Sequence, residues 1–184
     1  MPDASPNALV LLFDGFEEIE ALTPIDLLSR AGVALTLANL DGNKTATGRS
    51  DIIVQTPQAF ETLEMQNFDC LILPGGPGIA SLRNHPKLCQ NLRDFYQRKG
   101  TLACICAAPL LLLDAGILPG LAYTCHPSAE NELLDSKKQA VVFDQNCITS
   151  RGAGTAISFS LALLEHLVDK ATAQKIARAI SYCE

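Results

Sequence analysis

The chain contains no tryptophan, and aromatic residues make up only 5% of its 184 positions. A surface that stacks nucleic-acid bases needs aromatic faces, so a base-stacking platform is not expected. Positive charge is scarce as well: 14 Lys and Arg stand against 20 Asp and Glu, a formal net charge of −6. Such a balance repels a phosphate backbone, which excludes nucleic acid as the expected partner. No apolar run reaches the ~18–20 residues of a membrane span. Met1 to Asn7 carry no basic region and no apolar stretch of the export-signal kind. The chain also lacks low-complexity linkers, charge blocks and internal repeats. Its seven cysteines, Cys70, Cys89, Cys104, Cys106, Cys125, Cys147 and Cys183, form no Cys-x-x-Cys pair. An odd count without an export signal argues for free thiols rather than a disulfide framework. Structural zinc sites use two spaced ligand pairs. Cys104-x-Cys106 and the Cys125-His126 doublet do not supply them, so no metal is expected.

Apolar material is plentiful: hydrophobic residues are 48%, charged residues 18%, and the mean hydropathy is +0.18. That composition excludes a disordered chain. The expectation is one cytoplasmic domain over residues 1–184, with 1–7 as a loose tail and no membrane partner.

Ala8 to Phe13, Cys70 to Leu73 and Thr101 to Ile105 are short, continuously apolar runs ended by turn residues. This is how central parallel strands read when helices cover both faces of the sheet. Val33 to Leu40, Ala140 to Phe143 and Cys147 to Ser150 are further strands. Asp51 to Val54 reads as an excursion strand, and Leu121 to Thr124 as another candidate. Helices are predicted before Gly32, over Pro86 to Lys99, Ala107 to Ala115, Ser128 to Leu134, Thr155 to Leu167 and Ala171 to Ser181. The first of these begins either near Glu17, with Pro24 inside it, or at the capping-box spacing Thr23-Pro24-Ile25-Asp26. Alternating strands and helices give an open, mostly parallel α/β sandwich. Ligands of such sheets bind at the carboxyl ends of the strands. That rule points to Asp14–Glu20, Pro74–Gly78 and Cys106.

Cys106 closes a strand and opens a helix, with the small residues Cys104 and Ala108 two positions to either side. A nucleophile elbow has this size pattern because the turn is tight. A helix N-terminus would favour the thiolate. The plainer reading is a small buried cysteine. Pro74-Gly75-Gly76-Pro77-Gly78 can turn backbone N–H groups toward an oxyanion. It lacks the Gly-Lys-Ser/Thr ending of a phosphate loop and the spacing of a dinucleotide fingerprint. Glu17, Glu18 and Glu20 are ordinary acidic residues at a helix start, or one of them turns inward. His126 lies in a loop and is the base candidate, whereas His85 and His166 read as structural.

Leu71 to Gly76, Ala103 to Pro109, Cys125-His126-Pro127 and Ile148 to Thr155 together resemble the ThiJ/PfpI superfamily. Gly15 to Asp26 resembles the start of its parkinsonism-associated deglycase branch. The likeness runs from about Ala8 to the final helix. It implies a flavodoxin-like three-layer sandwich that forms a homodimer and needs no cofactor. Carried over by motif, Cys106 is the nucleophile on the elbow and Glu20 is a protonated acid beside it. Gly75, Gly76 and Ala107 line the oxyanion side, and His126 is the nearby histidine. Arg30 matches a position at the pocket or dimer side. The implied substrates are 2-oxoaldehydes such as methylglyoxal, or glycated protein side chains; the implied alternative is a cysteine-based oxidative-stress sensor with chaperone behaviour. Peptidase-like relatives place His directly after the cysteine. Here Ala107 stands there, which argues against an amidase or peptidase. Arg49-Ser50-Asp51 displaces by one position the basic residue expected in that branch.

Overall fold

The computed structural model describes residues 5–183. Seven strands form the main sheet in the order β5-β2-β1-β6-β7-β9-β8. They are β1 (Asn7–Leu12), β2 (Ala34–Asn39), β5 (Gln58–Ala59), β6 (Cys70–Leu73), β7 (Thr101–Ile105), β8 (Val141–Asp144) and β9 (Cys147–Ser150). Every pairing is parallel except β8 with β9. The central strands are buried on both faces, as their unbroken apolar sequences require. Helices α1 (Glu18–Arg30) and α5 (Ala156–Leu167) pack together against the sheet, and α6 (Lys170–Ala179) packs on α5. Helix α3 (Pro86–Gln97) contacts β7 and α4 (Pro109–Asp114), while α2 (Ile79–Leu82) is a single turn. The result is a mixed α/β sandwich around a mostly parallel sheet.

Several expectations needed correction. Asn7 opens β1 and the Pro6 carbonyl accepts the Ala34 N–H at 2.9 Å, so a loose tail does not reach these residues; 1–4 lie outside the described residues. The excursion is a hairpin, β3 (Thr45–Thr47) with β4 (Ile53–Gln55), standing apart from the main sheet. Leu121 to Thr124 is not a strand. Side chains take its backbone donors instead: Asp144 accepts from Ala122 N–H at 2.7 Å and Thr149 Oγ1 from Thr124 N–H at 2.9 Å. Ser128 to Leu134 is not a helix but one 3₁₀ turn over Pro127–Ala129. Pro24 lies inside α1, and Glu17 caps that helix.

Candidate active site

Four neighbouring strands, β1, β6, β7 and β9, end on the same side of the sheet, and the site is built where they stop. Cys106 follows β7 with φ +67°. A side chain bearing Cβ is strained in this left-handed region, so surrounding contacts must hold it there. They do so through the backbone: Cys106 N–H donates to Ser150 C=O at 2.9 Å, and Cys106 C=O accepts His126 N–H at 2.9 Å. The thiol is half-buried.

Beyond β1 the three glutamates divide. Glu17 Oε2 accepts the Glu20 N–H at 2.8 Å and caps α1. Glu18 Oε1 accepts the Ser50 N–H at 2.7 Å, pinning the β3–β4 hairpin to the helix. Glu20, 1% exposed, turns under the strand ends, where Gly75 N–H donates to its Oε2 at 2.9 Å. Helix start, hairpin and site each take one carboxylate.

Gly75 has no room for a side chain. A Cβ there would lie 2.6 Å from Cys106 Cβ, 2.8 Å from Glu20 Oε2 and 3.0 Å from Ala107 N. Those near-contacts also show how closely the thiol-bearing turn, the acid and the glycine loop meet. Gly76 has φ +112°, and its N–H and that of Ala107 reach the Cys106 sulfur. His126 is half-buried. Its Nδ1 accepts Ser128 N–H at 3.2 Å and lies 2.8 Å from Ser128 Oγ, while its ring edge faces Gly152 across from Glu20.

Burial pushes the Glu20 carboxyl up to about 7, against the opposing hydrogen bonds from Cys106, Gly75 N–H and Ala153 N–H. Burial also pushes the Cys106 thiol up to about 12, helped by the charge of ionised Glu20 and opposed by the Ala107 and Gly76 amides. The expectation that a helix N-terminus lowers this thiol is therefore not met: α4 is only six residues long and begins at Pro109. A proton on Glu20 would remove the part of this rise that the carboxylate's charge supplies.

The segment after β9 entered the sequence reading only as part of a family motif and received no site role, although the strand-end rule reaches it too. Gly152 and Ala153 close the fourth side of the site, with Ala153 N–H directed at Glu20. Arg30 does not join the others. It pairs with Asp26 at 2.9 Å on the last turn of α1, ten residues or about 15 Å along the helix from Glu20. Arg49 is exposed on the hairpin, its N–H donating to Phe16 C=O at 2.8 Å. Among the described residues no group of three His, Cys, Asp or Glu is arranged to hold a metal, and no helix is long and apolar enough to cross a membrane.

Fold and strand ends define a class: an open α/β sandwich presenting a cysteine on a strained strand–helix turn, facing a buried carboxylic acid. The chain belongs to the DJ-1/PfpI family, whose model matches residues 6–166. Over 180 residues it is 36% identical to the Parkinson disease protein 7 homolog of Danio rerio, spanning 94% of this chain and 95% of that one. It is 31% identical over 169 residues to the glutathione-independent glyoxalase DJR-1.2 of Caenorhabditis elegans, spanning 89% and 90% of the two chains. The crystal structure of Drosophila melanogaster DJ-1beta matches with a TM-score of 0.92 at 33% identity, covering 98% of this chain and 100% of that one.

Proposed function

We propose that the protein is a cofactor-independent enzyme acting on 2-oxoaldehydes, with methylglyoxal as the model substrate and glycated side chains as a second form of the same carbonyl. The observation that carries this reading is the pairing of Cys106 with Glu20, a buried acid that keeps its proton up to about 7. The similarity to a protein named as a glyoxalase supports it.

In this reading the Cys106 sulfur attacks the aldehyde carbon, and the new oxyanion takes a proton to give a hemithioacetal. The amides of Gly76 and Ala107 steady that oxygen. Glu20, having given its own proton to the oxyanion, or His126 then takes the proton from the former aldehyde carbon and delivers it to the neighbouring carbonyl carbon. The hemithioacetal hydroxyl proton passes to the neighbouring carbonyl oxygen. The first carbon is oxidised to a thioester and the second reduced to an alcohol. Water cleaves the thioester, releasing lactate and returning the thiol. The net reaction adds one water to methylglyoxal and needs no external oxidant or reductant.

A second reading rests on the donors that meet at the sulfur itself: the Gly76 and Ala107 amides and a protonated Glu20 would equally stabilise an oxidised Cys106 in a redox sensor. Methylglyoxal added to wild type and to Cys106→Ala, with lactate followed by NMR and intact mass measured in parallel, separates the two. Catalytic lactate from wild type alone is expected. No turnover, with peroxide adding two oxygens at Cys106, replaces the enzyme by the sensor.

A second copy of the chain is proposed to pack on the apolar patch formed by Ile19 and Leu22 of α1 with Ile52 and Ile53 of the hairpin. All four are exposed, and the Glu18–Ser50 bond joins the two elements.

A further inference from the structure

One guanidinium connects three segments that meet at Cys106. Arg83 follows α2 and forks onto Asp114, the last residue of α4: Nε lies 2.6 Å from Oδ2 and Nη2 2.8 Å from Oδ1. Its outer donors reach Glu132, Nη1 at 3.1 Å from Oε1 and Nη2 at 2.9 Å from Oε2. Asp114 has only 5% of its side chain exposed and also accepts the Asn84 N–H at 2.9 Å. Arg83 is itself mostly buried, at 21% exposure.

Each segment leads back to the site. Helix α2 continues the loop that carries the Gly76 amide, and α4 continues the turn that carries Cys106 and Ala107. Glu132 stands at the far end of the stretch that begins at His126. Its N–H donates to Ala129 C=O at 3.1 Å, and Ala129 N–H donates to His126 C=O at 2.9 Å. From the other side Glu130 pairs with Arg151 at 3.1 Å, the residue before Gly152. Isolated exposed ion pairs contribute little. Here one planar fork spans two carboxylates, and that geometry fixes distances as well as charge.

We infer that Arg83 is a positioning residue of the Cys106 site: by tying α2, α4 and the His126 segment together it sets the spacing of the Gly76 and Ala107 amides around the sulfur. It touches none of the reacting atoms. Its effect on turnover rests on the proposed nucleophilic role of Cys106, whereas its effect on the thiol does not.

The test compares wild type with Arg83→Lys and with the double variant Arg83→Met/Asp114→Leu. Lysine keeps a charge opposite Asp114 but has no fork with which to reach Glu132 as well. The double variant leaves no buried carboxylate unpaired, which guards its folding. Thermal melts confirm that each variant is folded. Iodoacetamide alkylation of Cys106, followed by peptide mass spectrometry across pH, reads the thiol without any substrate. In both variants the alkylation midpoint is expected to move to higher pH, with the rate at neutral pH falling roughly tenfold. Methylglyoxal kcat should fall in parallel with KM little changed. Alkylation profiles superimposable on wild type in both folded variants overturn the inference, whatever the melting temperatures. A shifted profile in a protein that makes no lactate in any form leaves the role of Arg83 standing and removes the carbonyl-directed activity instead.

Discussion

Glu18 and Glu20 lie on one turn of α1, both buried, and titrate in opposite directions. Burial pushes Glu18 up, but the N–H groups of Ser50, Glu18 and Ile52 and the Ser50 hydroxyl outweigh it, and the carboxylate ends below its ordinary range. Burial pushes Glu20 up too, and there the donors from Cys106, Gly75 and Ala153 do not compensate. What differs is the balance: at Glu20 the cost of burial outweighs the donors, and at Glu18 it does not. Glu18 is a structural anion that ties down a hairpin, and Glu20 an acid whose titration burial moves up to about 7. The same contrast separates Cys104 from Cys106. Cys104 lies inside β7, where burial holds its thiol far above the ordinary range. Cys106, two residues on, has left the strand with φ +67° and stands half-buried at the strand ends.

The sharpest test of this contrast is activity. Glu20→Gln keeps the shape but cannot release a proton, and methylglyoxal turnover should fall about 10²–10⁴-fold, the usual scale for a lost acid–base group. Glu18→Gln should stay within a few-fold of wild type. Equal losses in steady-state lactate assays would erase the distinction.

Stability against pH should separate the same two variants. The folded-state value of Glu20, about 7, lies above its ordinary 4.5, so the native state keeps a proton that the unfolded chain has released. Its stabilising share is complete below the ordinary value and is lost as pH rises to about 7, a change on the order of 3 kcal/mol. Urea midpoints of Glu20→Gln should thus gain on wild type across that window. Glu18 has the opposite sign: its share is present above the ordinary carboxylate value and disappears as pH falls, so Glu18→Gln should flatten the acid limb. Curves that run parallel to wild type would contradict both assignments.

The smallest expected effect lies on the hairpin that Glu18 holds. Ile53→Asp should weaken self-association roughly 10–100-fold, the cost of a charge in an apolar contact, whereas Glu20→Gln should leave it unchanged. Sedimentation velocity over a dilution series measures both, and a wild type that is monomeric throughout removes the proposed second copy.

Cys70 to Leu73, Thr101 to Ile105 and Cys147 to Ser150 were legible as strands to the residue, because a segment buried on both faces must be apolar without interruption. The Cys106 turn and the glycine loop followed from the rule that parallel sheets bind at their carboxyl ends. Leu121 to Thr124 misled because its apolar content satisfies burial alone, while its N–H groups are taken by Asp144 and Thr149, residues distant in sequence. Gly152 and Ala153 entered only within a family motif and without a site role, since a short Gly-Ala stretch carries no reactive side chain and matters only through where its backbone lies.

By itself, then, the amino-acid order determined the layered α/β architecture, the family, and the cysteine that stands at a strand end. These are encoded locally, in apolar runs and turn residues a few positions apart. The residues alone left Glu17, Glu18 and Glu20 open and only the family resemblance named Glu20; the tertiary structure turns Glu20 under the strand ends, moves its titration up to about 7, and ties the neighbouring loops through Arg83. Those outcomes depend on donors and burial supplied by β6, β9 and the hairpin, which come together only when the sheet has closed.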